Sequence, residues 1–312
     1  MTSQDELTVR ALDAADLAAV RRILDTSDYL HYRFDPHELS RILGRDPAVG
    51  AFVEASDRLA RVTQGTLRAF LLVNWLVPPS AWIGGFGVTW SEGEQYGRYL
   101  DLLLPPIAAL ARERGAETLY YSGSDLENDW LREAFEARGF LLDSLLRSYD
   151  KEDYGIPWPG NTAVRVRPFV AADAPAVVAV EDRTFPQLWR HDAASFLEVA
   201  ETYPYFVVAE DDEGICGYQF NAVDASTGYL VRIAVHPRVE GQGVGARLMA
   251  EAVRYFEQHH VWKIVLNTEE TNTRAHALYE RFGFHRIEQR GFVLALPLTE
   301  PATKGSAHVP GQ

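Results

Sequence analysis

Cysteine is nearly missing from this chain of 312 residues: Cys216 stands alone, so no internal disulfide can form. Its surroundings, residues 215–218, read as a strand, which makes Cys216 a buried structural thiol rather than a reactive one. An excess of positive charge is also missing. Lysine and arginine total 30 against 44 aspartate and glutamate, a formal net charge of −14. A nucleic-acid-binding surface needs a basic face, so no nucleic-acid partner is expected. The negative field suits a cationic partner by steering, or serves solubility alone. No apolar run reaches the ~18 residues of a membrane span. Residues 1–6 lack the basic and apolar regions of a signal peptide. A cytoplasmic location without a membrane partner is therefore expected. No spacing of His, Cys and Asp supports a metal site.

At about 100–200 residues per domain, the length suggests two domains. Residues 154–161 are rich in Pro and Gly and read as a linker. The expected division is residues 1–153, a linker at 154–162, a second domain at 163–298 and a disordered tail at 299–312. The halves repeat each other weakly. Val9-Arg10-Ala11-Leu12-Asp13-Ala14-Ala15-Asp16 parallels Val166-Arg167-Pro168-Phe169-Val170-Ala171-Ala172-Asp173, and each reads as a strand, an Asp cap and a helix. Residues 134–140 likewise mirror 278–284. In the second half, strands are expected at 164–167, 205–210, 215–223, 228–235 and 263–267. Helices are expected at 172–183, 244–259 and 273–281, and one or two closing strands at 284–298. Hairpins first and strand-helix alternation later predict an α/β domain around one mixed sheet.

The most informative stretch is Val235-His236-Pro237-Arg238-Val239-Glu240-Gly241-Gln242-Gly243-Val244-Gly245-Ala246. A strand ends, a loop follows, and alternate glycines open a helix. Such glycines admit a ligand close to the backbone, and the free amides of a helix start attract an anion. Gly241, Gly243 and Ala246 also satisfy the dinucleotide pattern G-x-G-x-x-G/A. That motif needs its first glycine directly after the strand, whereas residues 236–240 intervene here, and the upstream hairpin argues against a run of parallel strands.

The loop with its preceding Ile233-Ala234-Val235-His236-Pro237 resembles the cofactor loop of the GNAT superfamily of acetyl-CoA-dependent N-acyltransferases. Residues 272–284, Asn272-Thr273-Arg274-Ala275-His276-Ala277-Leu278-Tyr279-Glu280-Arg281-Phe282-Gly283-Phe284, resemble that family's second motif. The resemblance covers the second half well and the first half faintly. It implies two tandem GNAT-like domains, each a mixed sheet flanked by helices, with a degenerate first copy. It implies acetyl-CoA as cosubstrate. Cofactor contacts would come from Ile233, Ala234, Val235, Gly241, Gln242, Gly243, Val244, Gly245, Ala246 and Asn272. The pantetheine arm would lie between splayed strands at 229–235 and 263–267. Glu240 departs from the pattern, since Arg or Gln usually stands there; either it faces solvent or Arg238 or Arg247 compensates it.

Tyr279 matches the family's tyrosine and is the catalytic candidate: a phenol is protonated at neutral pH and can meet a leaving thiolate. It also reads as a core aromatic beside Ala275, Leu278 and Phe282. Asn272 reads equally as a helix cap or a cofactor contact. The strand positions Tyr229, Leu230, Val231 and Arg232 carry no acid, so the base is open among Glu181, Asp182, Asp224, Glu269, Glu270 and water. The aromatic loop 181–189 resembles the acceptor loop of enzymes that acetylate protein N-termini, with Phe185 and Trp189 as walls. In the first half, the loop's place holds Trp90-Ser91-Glu92-Gly93-Glu94-Gln95-Tyr96-Gly97, and Phe135 replaces Tyr279. The expected activity is acetyl transfer to a primary amine of a small molecule or a peptide N-terminus; the rival is a non-catalytic acyl-CoA sensor.

Overall fold

The structure, a computed structural model, describes residues 7–53, 65–125 and 129–298. The expected disordered tail at 299–312 lies outside the described residues. In chain order the elements are β1 (Leu7–Ala11), α1 (Leu17–Thr26), β2 (Leu30–Tyr32), α2 (Leu39–Arg45), β3 (Ala48–Val53), β4 (Thr66–Val77), β5 (Ser80–Val88), α3 (Tyr96–Glu113), β6 (Thr118–Ser124), α4 (Asp129–Glu136) and β7 (Leu141–Lys151). Then come β8 (Arg165–Pro168), α5 (Ala174–Thr184), α6 (Ala193–Thr202), β9 (Tyr205–Asp211), β10 (Gly214–Asp224), β11 (Thr227–Val235), α7 (Val244–Gln258), β12 (Lys263–Glu269), α8 (Thr273–Arg281) and β13 (His285–Pro297).

Two compact units form, and neither is continuous in sequence. Among the described residues, one comprises 7–53, 65–122, 130–142 and 294–298; the other comprises 123–125, 129 and 143–293. Residues 143–151 of β7 thus fold with the second unit, although composition places them in the first half. The reason is backbone pairing. β12 needs a partner on its second edge, and β7 supplies it antiparallel from Ile264↔Lys151 to Glu269↔Leu146. The Pro/Gly stretch also belongs to this unit. Tyr154 and Ile156 pack on its core, and the Asn161 amide donates to the Gly243 carbonyl at 3.1 Å.

The first unit orders its strands β1-β3-β4-β5-β6, with β2 also on β5. The pairing of β5 with β6 is parallel and covers only Ser80–Trp82 against Thr118–Tyr120. β4 occupies one edge of β5 as far as Val88. On the other edge, beyond the β6 pairing, sits β2, antiparallel, with Leu30↔Gly87, His31↔Phe86 and Tyr32↔Gly85.

The second unit runs β13-β7-β12-β11-β10-β9-β8. Alternation along β9 sends Phe206 and Val208 to one face with Val177 and Val180 of α5 and Phe196 of α6. Val207 and Ala209 go to the other face with Val244 and Leu248 of α7. Each large apolar side chain buried there contributes about 1.5–3 kcal/mol. Cys216 is buried in this layer, and burial pushes its thiol up to about 11, which suits a packing role.

The halves repeat at the level of hydrogen bonds. Arg10 clasps the buried Asp16 at 2.6 and 2.8 Å, and Arg167 clasps Asp173 at 2.7 and 2.9 Å. α8 ends with Gly283 in the left-handed region at φ +79, where the Phe284 amide reaches the Tyr279 carbonyl at 3.0 Å. α4 ends the same way: Gly139 has φ +88 and the Phe140 amide reaches the Phe135 carbonyl at 3.2 Å. A residue with Cβ would be strained at this closing position, which is why glycine recurs there. Phe135 therefore stands where Tyr279 stands.

Candidate active site

β11 and β12 are parallel but paired only from Thr227↔Lys263 to Tyr229↔Val265. Beyond that point they part, while β12 keeps its bonds to β7. β11 also carries a bulge. Phe220 pairs with Arg232 and Asn221 with Leu230, leaving Val231 over. The extra residue reverses the side-chain alternation. Leu230 packs in the core with α7, whereas Arg232 turns to the α5 side, where it meets Glu181. The parted strands open a cavity of about 670 Å3 that lies within the second unit.

Gly241, Gly243, Val244, Gly245 and Ala246 line one end. Gly243 is the cap of α7, has φ +82 and supplies no side-chain bond. The first intrahelical bond is Arg247 N to Gly243 O at 3.0 Å. The amides of Gly243, Val244, Gly245 and Ala246 precede it and have no helical acceptor. They form an anion cradle strengthened by the helix dipole. Trp158 packs on the cradle, with its ring 2.8 Å from where a Gly243 Cβ would stand. Glu240 forms an ion pair with Arg274. The sequence leaves Glu240 either facing solvent or compensated by Arg238 or Arg247; its side chain is 40% exposed, and the two arginines are engaged elsewhere, with Asp211 at 2.7 Å and Glu251 at 2.9 Å.

Of the expected contacts, Ile233, Val235 and Asn272 also line the cavity. The side chain of Ala234 faces the core beside α5. Gln242 turns away, with its side-chain nitrogen 3.2 Å from the Arg238 carbonyl. Asn272 caps α8 through the Ala275 amide at 3.2 Å and donates to Thr268 at 3.2 Å, so both of its expected roles remain compatible.

Tyr279 lines the cavity and is 5% exposed. Its hydroxyl has no hydrogen-bond partner among the described residues. Burial pushes its phenol well above the ordinary value, and Tyr149 adds to this, so it is protonated at neutral pH. Its ring meets Tyr149 edge-on at 5.7 Å. Tyr149 in turn bonds His276 Nδ1 at 2.6 Å, and Arg286 donates to the Tyr149 hydroxyl at 2.9 Å. His276 Nε2 lies 3.1 Å from the Glu270 carbonyl. That carbonyl only accepts, so Nε2 carries a proton toward it. This support is not legible in the sequence, because Tyr149 comes from β7.

The opposite wall holds Phe185, Pro186 and Trp189, as the aromatic loop suggests. Behind it Glu181 is fully buried. Arg232 donates to it at 2.7 Å, the His191 amide at 2.9 Å, and the Tyr218 hydroxyl completes the shell. Burial alone would raise the Glu181 carboxyl, but His191, Arg232 and Tyr218 hold it below its usual value. Burial lowers His191. Glu181 is thus a buried, charged structural group at neutral pH, neither a surface residue nor an available base. Glu270 is committed to Arg147 at 2.7 Å. Glu269 lines the cavity. Among the described residues no group of His, Cys, Asp and Glu is placed to hold a metal ion. Nor is any helix there long and apolar enough to cross a membrane.

Residues 173–284 match the acetyltransferase (GNAT) family. The mycothiol acetyltransferase of Salinispora tropica is 30% identical over 303 residues, covering 92% of this chain and 94% of that protein. The putative ribosomal protein bS18-alanine N-acetyltransferase of Bacillus subtilis is 25% identical over 39% of this chain and 82% of its own. Other mycothiol acetyltransferases are matched over about half their length, 47% in one and 46% in another. In fold, a tandem GNAT protein from the clavulanic acid biosynthesis pathway superposes with a TM-score of 0.64 at 14% identity, over 95% of this chain and 100% of that one.

Proposed function

We propose that the chain, which belongs to the GNAT family of acetyltransferases, carries acetyl from acetyl-CoA to a primary amine of a small molecule or a peptide N-terminus, at one site in its second unit. The observation that carries this reading is the continuity of the cavity from the free amides at Gly243–Ala246, past Tyr279, to the aromatic loop. A diphosphate fits amides that lack acceptors, and a pantetheine arm fits the unpaired edges of β11 and β12 as an added strand. Acetyl-CoA supplies the activated thioester carbonyl.

The roles divide as follows. The cradle and the parted strands orient the thioester, and Phe185 and Trp189 give the acceptor an apolar wall. The neutral amine nitrogen bonds to the carbonyl carbon as the C–S bond breaks. The Tyr279 hydroxyl gives its proton to the departing sulfur, and the nitrogen's surplus proton returns to the phenol through water. With Glu181 and Glu270 committed to arginines, proton removal falls to water. Release of free CoA from acetyl-CoA with a panel of amines and N-terminal peptides is the test. Binding without transfer to any acceptor would favour the acyl-CoA sensor.

A further inference from the structure

β12 alternates its side chains between the two faces of the sheet. Ile264 and Leu266 point into the core with α7 and α8, so Asn267 and Glu269 point to the opposite face, that of the α5–α6 loop. Glu269 meets this loop directly: the Trp189 indole Nε1 donates to its Oε1 at 2.8 Å. Both residues line the cavity, as does Phe185.

Three of the neighbouring cations are already paired. Arg232 is bonded to Glu181 at 2.7 Å, Arg147 to Glu270 at 2.7 Å, and Arg190 lies 3.5 Å from Asp182. Arg183 is a further cation on the cavity wall. It precedes Thr184, whose hydroxyl reaches the Val235 carbonyl at 3.4 Å, which places it at the end of β11 leading to the glycine loop. Glu269 has no ion-pair partner among the described residues. The indole beside it is neutral and engages one oxygen, leaving Oε2 for a ligand. A half-buried carboxylate without a cation is unfavourable, and a bound cation removes that penalty.

We infer that Glu269, held by the Trp189 indole, anchors the acceptor's ammonium group, and that it selects amines attached to an apolar or aromatic group over amines flanked by a carboxylate. The inference rests on the acetyl-transfer reading for its placing of the acceptor. Phe185 and Trp189 supply apolar walls beside the anchor, and the negative field of the whole chain steers a cation toward it. A free amino acid brings a carboxylate close to Glu269 and is repelled; a peptide N-terminus or an aminoacyl amide is not. Glu269 holds the cationic form for docking and is a specificity residue. The reactive neutral amine forms when the proton leaves to water.

Benzylamine, cationic at neutral pH, and benzyl alcohol, its neutral counterpart, separate charge from shape. With CoA in place of acetyl-CoA no transfer occurs, and calorimetry reads binding to the loaded chain. The native protein is expected to bind benzylamine at least about tenfold more tightly than the alcohol. Glu269→Gln keeps an acceptor for Trp189 and is expected to abolish the preference without changing CoA affinity. Trp189→Phe is expected to reduce it partway. Equal affinities in the native chain, or a preference that survives Glu269→Gln, would overturn the anchor. Glu269-dependent binding with no acetyl transfer to any amine would instead overturn the acetyl-transfer reading and leave the anchor standing.

Discussion

A proton donor is useful only if it reaches the leaving atom with its proton still attached. Tyr279 meets both conditions, being raised by burial and on the cavity wall. Tyr279→Phe keeps the edge contact with Tyr149 and removes only the hydroxyl. It is expected to lower kcat by about 10²–10⁴-fold with little change in CoA affinity; an unchanged kcat would make Tyr279 a packing residue. The Glu181 cluster gives a second residue-scale expectation. Glu181 and His191 both have values lowered in the folded state, so the folded chain binds fewer protons and stability rises with pH. The His191 contribution is full above its unfolded value of about 6.5 and is lost as pH falls; that of Glu181 is full above about 4.3 and is lost below it. Melting temperature should therefore fall from pH 7.5 to 5.5, and His191→Asn should flatten that interval. A native profile that rises on acidification would mean the cluster binds a proton on folding.

At the scale of elements, the glycine loop and α8 were legible because their signals are local. Alternate glycines, an Asn cap and a glycine stop lie within a few residues of each other, and α8 spans Thr273–Arg281, as the sequence suggests. What was not legible depends on distant pairing. β7 joins β12, and Glu240 meets Arg274 from the start of α8. The buried role of Glu181 was hidden likewise, because Arg232 lies 51 residues away and faces it only after the β11 bulge. The loop's own test needs the right glycine. At Gly243 a side chain faces both a positive φ and the Trp158 ring, so Gly243→Asp would strain the backbone as well as the site. Gly245 has ordinary van der Waals space, with Leu278 at 3.5 Å and Val235 at 3.6 Å. Gly245→Asp should therefore keep the fold and weaken CoA binding by at least about tenfold through charge repulsion. Unchanged affinity by calorimetry would remove the diphosphate from this loop.

For the molecule as a whole, the duplicated architecture poses the question of how many cofactor sites a chain holds. In both units a parallel strand pair stops after a few residues and could admit an extended ligand. The first unit fills its opening with its own backbone. β2 takes the free edge of β5, the Arg33 amide reaches the Gly84 carbonyl at 2.8 Å, and the Val88 amide reaches the Tyr29 carbonyl at 3.2 Å. A pantetheine arm that adds like a strand would need these same hydrogen-bonding positions. The loop ahead of α3 is blocked too, since the Tyr29 ring lies 2.0 Å from where a Gly93 Cβ would stand. Phe135, in the place of Tyr279, has no proton to give. The expected stoichiometry is therefore one CoA per chain, bound in the second unit. Titration calorimetry of the full chain reads the number directly, and Gly245→Asp should weaken that single site and leave no tighter one behind. Two CoA per chain would show that the strand in the first unit yields to the ligand, and one site whose affinity Gly245→Asp leaves intact would show that the live site has been assigned to the wrong half.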